Sequence, residues 1–277
     1  MNALKCPKDW LFVGKNVRRD VKMSLLDQAE PHSHLVQLYG SDEAGLAKNV
    51  GRYLVDGLKR GDGLLVIATQ THRAAFYREI NYLGSNPDAI VFLDAQETLD
   101  KFMVSGQPDW RLFEKTVAEA KDALPDQQRF RAYGEMVGIL WTAGRYSAAI
   151  QLEKFWNKLL NSHNFNLFCA YPIDVFSTEF QIAPLDALLC AHTHLVPAGM
   201  NGDLDSALDQ SMDDFLGRRA AGLRPLMEVN LRPSWAVMPR AEANILWLRN
   251  NLPEEADMIV ARARQYYQTS QVRACCP

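Results

Sequence analysis

The residues from Leu35 to Ala47 have the layout of a phosphate-binding loop: an apolar strand, a turn from Gly40 to Gly45 spaced Gly-x-x-x-x-Gly, and the start of a helix. A working loop continues Gly-Lys-Ser/Thr. The lysine meets the outer phosphates and the hydroxyl holds magnesium. Here Gly45 is followed by Leu46 and Ala47, and two carboxylates, Asp42 and Glu43, stand where a polyphosphate would lie. The scaffold resembles that of a nucleotide hydrolase without its chemistry, which points to a sensor or binding module. The same turn also reads as a capped helix, with Ser41 as N-cap and the two carboxylates answering the helix dipole. Carboxylates so placed repel phosphate, so the loop is expected to take a neutral or cationic ligand, or none.

Other chemistry-bearing residues fall at the ends of apolar runs. Tyr39, Tyr133 and Tyr171 each close one, and tyrosine offers a flat apolar face and one hydroxyl to a small organic ligand. Glu135 follows Arg131-Ala-Tyr-Gly, a place suited to a pocket wall or, less readily, to a catalytic base. Thr69 and His72 follow the run 64–68 and can face the same site. Each has a plainer reading, as edge packing, a paired carboxylate or a solvated helix start. Cys190, His192 and His194 alternate and would share one face of a strand, a zinc-ligand pattern. The segment before them reads as helical, however, and on a helix His192 and His194 point about 200° apart. No metal, no cofactor and no catalytic set are therefore expected. A nucleophile elbow, His-Glu-x-x-His and Cys-x-x-Cys are all missing from the sequence.

These residues are positioned by alternating strands and helices. Strands are expected at 35–39, 64–68, 89–93, 129–133 and 166–171, and helices at 44–58, 71–83, 95–104, 109–123 and along an amphipathic stretch from Ala148 to Leu160. Five strands in this alternation predict a three-layer α/β domain with a mainly parallel sheet. Such sheets bind ligands at the carboxyl ends of their strands. From about residue 199 the texture becomes all-helical, with helices at 204–223, 240–250 and 253–268 and a Pro- and Arg-containing connection at 224–239. The division is thus an extension at 1–33, a main domain at 34–198 and a helical appendage at 199–277. Trp235, Leu246, Trp247, Leu248, Ile259 and Val260 of the appendage read either as packing on the main domain or as a surface for a protein partner or a homodimer.

The chain has 277 residues and a net charge of −3, without the basic excess that marks direct nucleic-acid binding. No apolar run reaches the roughly 18 residues that span a bilayer, and residues 1–30 lack a signal-peptide core. Five irregularly spaced cysteines argue against a disulfide framework. The expectation is a cytoplasmic protein with reduced thiols.

Several segments in order, from His34-Leu-Val-Gln-Leu-Tyr-Gly-Ser-Asp-Glu43 through Leu65–Thr69, His72-Arg73, Leu93–Leu99, Arg131–Met136 with Leu140-Trp141, Leu152-Glu153 with Trp156-Asn157, and Cys169–Pro172 to His192-Thr-His194, resemble the MEDS domain. That sensory domain is named for methanogen and methylotroph regulators and a dichloromethane-responsive repressor. The resemblance covers roughly residues 34–198. It implies a RecA- or KaiC-like layout with a degenerate nucleotide loop, a non-enzymatic role and hydrocarbon-type ligands. His34 and His194 match its pattern, which leaves a polar pocket role open to them beside plain capping or hydrogen bonding. Family members are often joined to DNA-binding or kinase modules. Residues 1–33 hold no helix-turn-helix, and no kinase motif follows residue 200. The alternatives are a divergent ATPase-like enzyme or hydrolase using Glu135, and an interaction scaffold.

Overall fold

The structure is a computed structural model that describes residues 26, 31–124, 129–197, 203–230 and 237–275. The expected extension at 1–33 lies almost wholly outside these residues, as does Trp235. The chain runs β1 (His34–Leu38), α1 (Glu43–Arg60), β2 (Gly63–Ala68), α2 (Gln70–Tyr82), β3 (Val91–Asp94) and α3 (Ala95–Asp100). A ribbon of β4 (Met103–Val104) and β5 (Gln107–Pro108) precedes α4 (Trp110–Asp122). Next come β6 (Phe130–Gly134), α5 (Met136–Thr142), α6 (Tyr146–Ser162), β7 (Phe165–Tyr171), α7 (Ile182–Ala191) and β8 (His194–Val196). Four helices follow: α8 (Asp203–Leu216), α9 (Arg218–Asn230), α10 (Arg240–Asn251) and α11 (Pro253–Cys275).

Six strands form one parallel sheet in the order β3-β2-β6-β7-β1-β8. Helices cover both faces, so the strands are apolar on both sides. Along β2, Leu64 and Val66 pack with α1 and α2, while Leu65 and Ile67 join the core shared with α4 to α7. Strand β7 alternates in the same way, with Phe168 and Ala170 on the α1 face and Leu167, Cys169 and Tyr171 on the α6 face. This is the three-layer α/β arrangement expected. Helix α1 is set by its ends: Asp42 caps it, and Gly61, at φ 73°, stops it in the left-handed conformation that glycine adopts at no steric cost.

Five local expectations are corrected. A sixth strand, β8, pairs with β1 outside the five foreseen, and it is only three residues long. The segment 182–191 is helical, but His192 is already extended and His194 lies in β8, so the two are not on a helix. The expected helix 95–104 ends at Asp100, because Met103 and Val104 turn into the ribbon. The helix expected at 204–223 is broken at Gly217, φ 51°, and its second half continues as α9 through Pro225 to Asn230. Cys190 is in a disulfide where reduced thiols were expected, while Cys169 is free and buried.

The tail helices share the core of the α6 face. Leu208, Met212, Ile245, Leu248, Ile259 and Val260 are buried in the same cluster as Leu167 and Trp156. Leu246, Leu248, Ile259 and Val260 are therefore consumed by packing and do not present a partner surface. Arg249 fastens the tail by donating to the carbonyls of Phe180 (2.6 Å) and Phe176 (3.0 Å). Arg264 pairs with Asp174 at 3.2 Å.

At the amino ends of the strands, Arg131 of β6 is 3% exposed and bridges Asp62 (2.8 Å) and Asp56 (2.7 Å), with a further bond to the carbonyl of Tyr53 (3.0 Å). Removing one member of a buried ion pair strands the other. Arg131→Met should lower unfolding free energy by about 3–5 kcal/mol in urea titrations, and a loss below about 1 kcal/mol would show that the network is solvated.

Candidate functional site

In this sheet β2 connects to its left neighbour β3, and β6 to its right neighbour β7, while β2 and β6 lie side by side. Their helices, α2 and α6, accordingly cover opposite faces. The carboxyl ends of β2 and β6 thus flank a point where the chain's connections diverge, the place where parallel α/β sheets open a crevice.

A polar cluster occupies this point. Glu135, the first residue after β6, is 4% exposed, and its amide donates to the Ile67 carbonyl of β2 at 3.1 Å. Its Oε1 accepts from the amide of Thr69, which caps α2. Its Oε2 accepts from His72 Nδ1 at 2.5 Å and from the Tyr133 hydroxyl at 3.0 Å. The His72 ring stacks on Phe76 at 5.7 Å and meets the edge of half-buried Tyr39 at 5.6 Å. Burial alone would lower the His72 pKa, but the hydrogen bond and charge of Glu135, with Glu43 adding, raise it above the usual value. Burial, then the charge of Glu135, pushes the Tyr39 and Tyr133 hydroxyls upward, so both are neutral donors at physiological pH. Beside them Arg73 reaches Asp94, the cap of α3, at 3.3 Å.

Five expected site residues, Tyr39, Thr69, His72, Tyr133 and Glu135, are thereby brought together. The loop after β1 stands next to them but is arranged differently from the expectation. The cap of α1 is Asp42, not Ser41: its Oδ1 accepts from the Gly45 amide at 2.9 Å, and Ser41 is exposed. Ser41 and Asp42 are equally good caps by type, and the chain turns one residue later than foreseen. Gly40 has φ 54°, and a Cβ there would lie 3.0 Å from Asp174, so glycine is required on both counts.

His34 and Tyr171 do not join this cluster. They point to the opposite face of the sheet, beneath α6 and α7, into a second polar group. There Glu153 of α6 accepts from the Tyr171 hydroxyl at 2.6 Å and lies 3.3 Å from both His34 Nε2 and His192 Nε2. The Cys169 thiol is 3.8 Å from Glu153 and 3.4 Å from His34 Nε2. His34, Glu153, Cys169, Tyr171 and His192 are all at most 5% exposed. Burial would raise the Glu153 carboxyl, but the adjoining His192 and His34 outweigh it and hold it well below the usual range. Burial and the neighbouring His192 lower His34, against the opposing pull of Glu153. Burial and Glu153 push the Cys169 thiol well up.

Glu153, Cys169 and His192 were not among the expected site residues. Glu153 had a signal: it sits on the apolar stripe of α6 between Ala149 and Trp156, where an unpartnered carboxylate does not belong. His194 stays apart on β8, with its Nδ1 3.0 Å from the Thr193 hydroxyl. A shallow depression lies at the other end of the sheet, but it is lined by Arg60, Asp62, Arg129 and Arg131, which pair among themselves and with Asp56.

The fold and the cluster define a three-layer α/β domain with a buried polar cluster around Glu135 at the carboxyl end of a parallel sheet. The profile of the MEDS family, the methanogen/methylotroph, DcmR sensory domain, matches residues 33–193, and the chain belongs to that family. A sensory role follows in general terms. No curated protein and no solved structure matches the chain. Among the described residues no helix is long and apolar enough to cross a membrane.

Glu135→Ala leaves the Thr69 amide, His72 and the Tyr133 hydroxyl without their acceptor and should cost about 3–5 kcal/mol in chemical denaturation. Glu135→Gln gives the pH test. A histidine whose folded pKa is raised contributes stability that is complete below its unfolded value, about 6.5, and is lost as pH rises through the folded value. The Tm advantage of the native chain over Glu135→Gln should therefore be largest near pH 6 and shrink toward pH 9; a gap that widens with pH would contradict the His72–Glu135 pairing.

Proposed function

We propose that the chain is a non-enzymatic sensor that binds a small organic molecule at the carboxyl ends of β1, β2 and β6 and passes its state to the helical tail. The observation that carries this reading is the engagement of both Glu135 oxygens by the protein itself. Each of its oxygens already accepts from groups of the protein, Thr69 on one side and His72 and Tyr133 on the other. Three donors on about four lone-pair sites, together with burial, make this carboxylate a poor base for activating water, and it rigidly orients the histidine and tyrosine around it. Tyr39 and His72 are then the aromatic wall for a neutral or cationic ligand.

We read the loop Gly40–Gly45 as a phosphate loop that has lost its ligand, on a RecA-like scaffold. In support of this, the Asp42 carboxylate folds back over the Gly45 amide, the donor a phosphate oxygen would otherwise take, and a Cβ on Gly45 would lie 2.2 Å from it. The helix end is satisfied from within, and its charge is wrong for an anion. The route outward follows Asp174, which packs against Gly40 and pairs with Arg264 of α11. On this reading the tail's target is a protein partner in a regulatory pathway or a second copy of the chain, in the cytoplasm.

Thermal shift with Mg-ATP, and with short-chain alcohols, amines and halocarbons, tests the reading. A binding organic ligand at a hundred times its Kd should stabilise the chain by about 2.7 kcal/mol, and Tyr39→Ala, with its fold intact, should lose that shift. Stabilisation by Mg-ATP with measurable turnover would sink the proposal.

A further inference from the structure

The group beneath α6 and α7 has a donor geometry that its hydrogen bonds leave unexplained. The Asn157 amide nitrogen donates to the Ala191 carbonyl at 2.8 Å, which fixes its oxygen toward His34. His34 Nδ1 lies 2.9 Å from that oxygen and must be the donor. His192 Nδ1 lies 2.8 Å from the Leu188 carbonyl, which can only accept, so it too carries a proton. In their neutral forms both rings therefore turn an Nε2 lone pair inward, that of His34 toward the Cys169 thiol at 3.4 Å. His192 Nε2 is completely buried and has no hydrogen-bond partner: Glu153 Oε1 is 3.3 Å away but outside hydrogen-bonding geometry. Two lone pairs, a carboxylate and a thiol thus face one another, with the histidine rings only 4.1 Å apart. Charging both rings to relieve this would set two cations in contact in a buried space.

A cation at the centre resolves the conflict. We propose that His34, Glu153, Cys169 and His192 form a closed site for one divalent transition-metal ion of the zinc class. One ligand atom from each residue lies within 4.8 Å of all the others. A tetrahedron with ligands at about 2.0–2.3 Å from its centre has edges of about 3.3–3.8 Å. Three edges are seen around Glu153 Oε2: 3.3 Å from His34 Nε2, 3.8 Å from Cys169 Sγ, and 3.4 Å between His34 Nε2 and Cys169 Sγ; His192 Nε2 lies 3.3 Å from the other oxygen, Oε1. Two imidazoles, a carboxylate and a thiolate suit zinc, cobalt or ferrous iron rather than magnesium or calcium. The Nδ1 hydrogen bonds to Asn157 and Leu188 are the outer contacts that orient metal-bound histidines, and the Tyr171 hydroxyl occupies one carboxylate oxygen and leaves the other for the ion. Binding displaces the thiol proton to solvent, so a dication with thiolate and carboxylate is neutral as a unit. With four protein ligands and full burial the site is structural in type. It shares no residue with the Glu135 cluster and stands independently of the ligand reading.

The whole chain is produced in zinc-supplemented and in cobalt-supplemented minimal medium, dialysed against metal-free buffer and analysed for metal. About one ion per chain is expected, and the cobalt form should show the visible bands of a tetrahedral ion with a near-ultraviolet thiolate charge-transfer band. Cys169→Ser should abolish that band, and His192→Ala should cut metal retention by more than about tenfold, while His194→Ala, outside the set, keeps the ion. X-ray absorption at the zinc edge of the unmutated protein needs no variant to fold, and should count one sulfur among four neighbours. A folded protein without stoichiometric metal from either medium, a zinc shell lacking sulfur, or a thiolate band that survives in Cys169→Ser overturns the proposal.

Discussion

The Glu135 carboxylate joins the two halves of the sheet at the point where their connections part. To its left the chain leaves β2 for α2 and β3; to its right it leaves β6 for α5, α6 and β7. Backbone pairing holds these strands only as far as Ile67 and Gly134. Past that register the two chains would splay apart with unpaired amides, and it is the side chain of Glu135 that takes up the Thr69 amide and the first turn of α2. The cost of burying a charge is offset here by three donors, and the positions of Thr69, His72 and Tyr133 all follow from it.

The same constraint operates on the other face. A parallel sheet covered on both sides tolerates a charge only if every lone pair is answered. The α1 face meets this with Arg131 between two aspartates, near the rim. The α6 face places Glu153, His34 and His192 in its middle, far from water, and there the proton inventory of the protein alone does not close. The two faces differ, then, in whether their polar groups complete one another.

The strands that could be read from the sequence were the ones with continuous apolar runs, such as Leu64–Ala68, because burial on both faces leaves a signature independent of context. Strand β8 carries no such run: it has three residues, one of them His194, and its existence depends on pairing with β1, which is 159 residues away at the Thr193–His34 contact. Strand-end logic gathered Tyr39, Thr69, His72, Tyr133 and Glu135 as candidates. It could not pair them, since Thr69 and Glu135 are 66 residues apart and meet only because β2 and β6 are neighbours. It also could not separate Tyr171 from Tyr39 and Tyr133, because the face to which a strand's last residue points depends on a register that one sequence does not display. The N-cap was missed by one position for a similar reason, as Ser41 and Asp42 are chemically alike in that role.

The pairing of Arg264 with Asp174 has a mechanical corollary. Helix α11 runs from Pro253 to Cys275, and Arg264 lies at its midpoint. At 1.5 Å per residue each arm is about 16 Å long, so a tilt of about 10° around that fulcrum swings either tip through about 3 Å. One arm is embedded against α8, where Ser211 bonds the Ile259 carbonyl. The other reaches past Tyr267, which rests on Phe176 in the loop after β7. Helix α11 is thus held at its midpoint by the same loop that crowds Gly40.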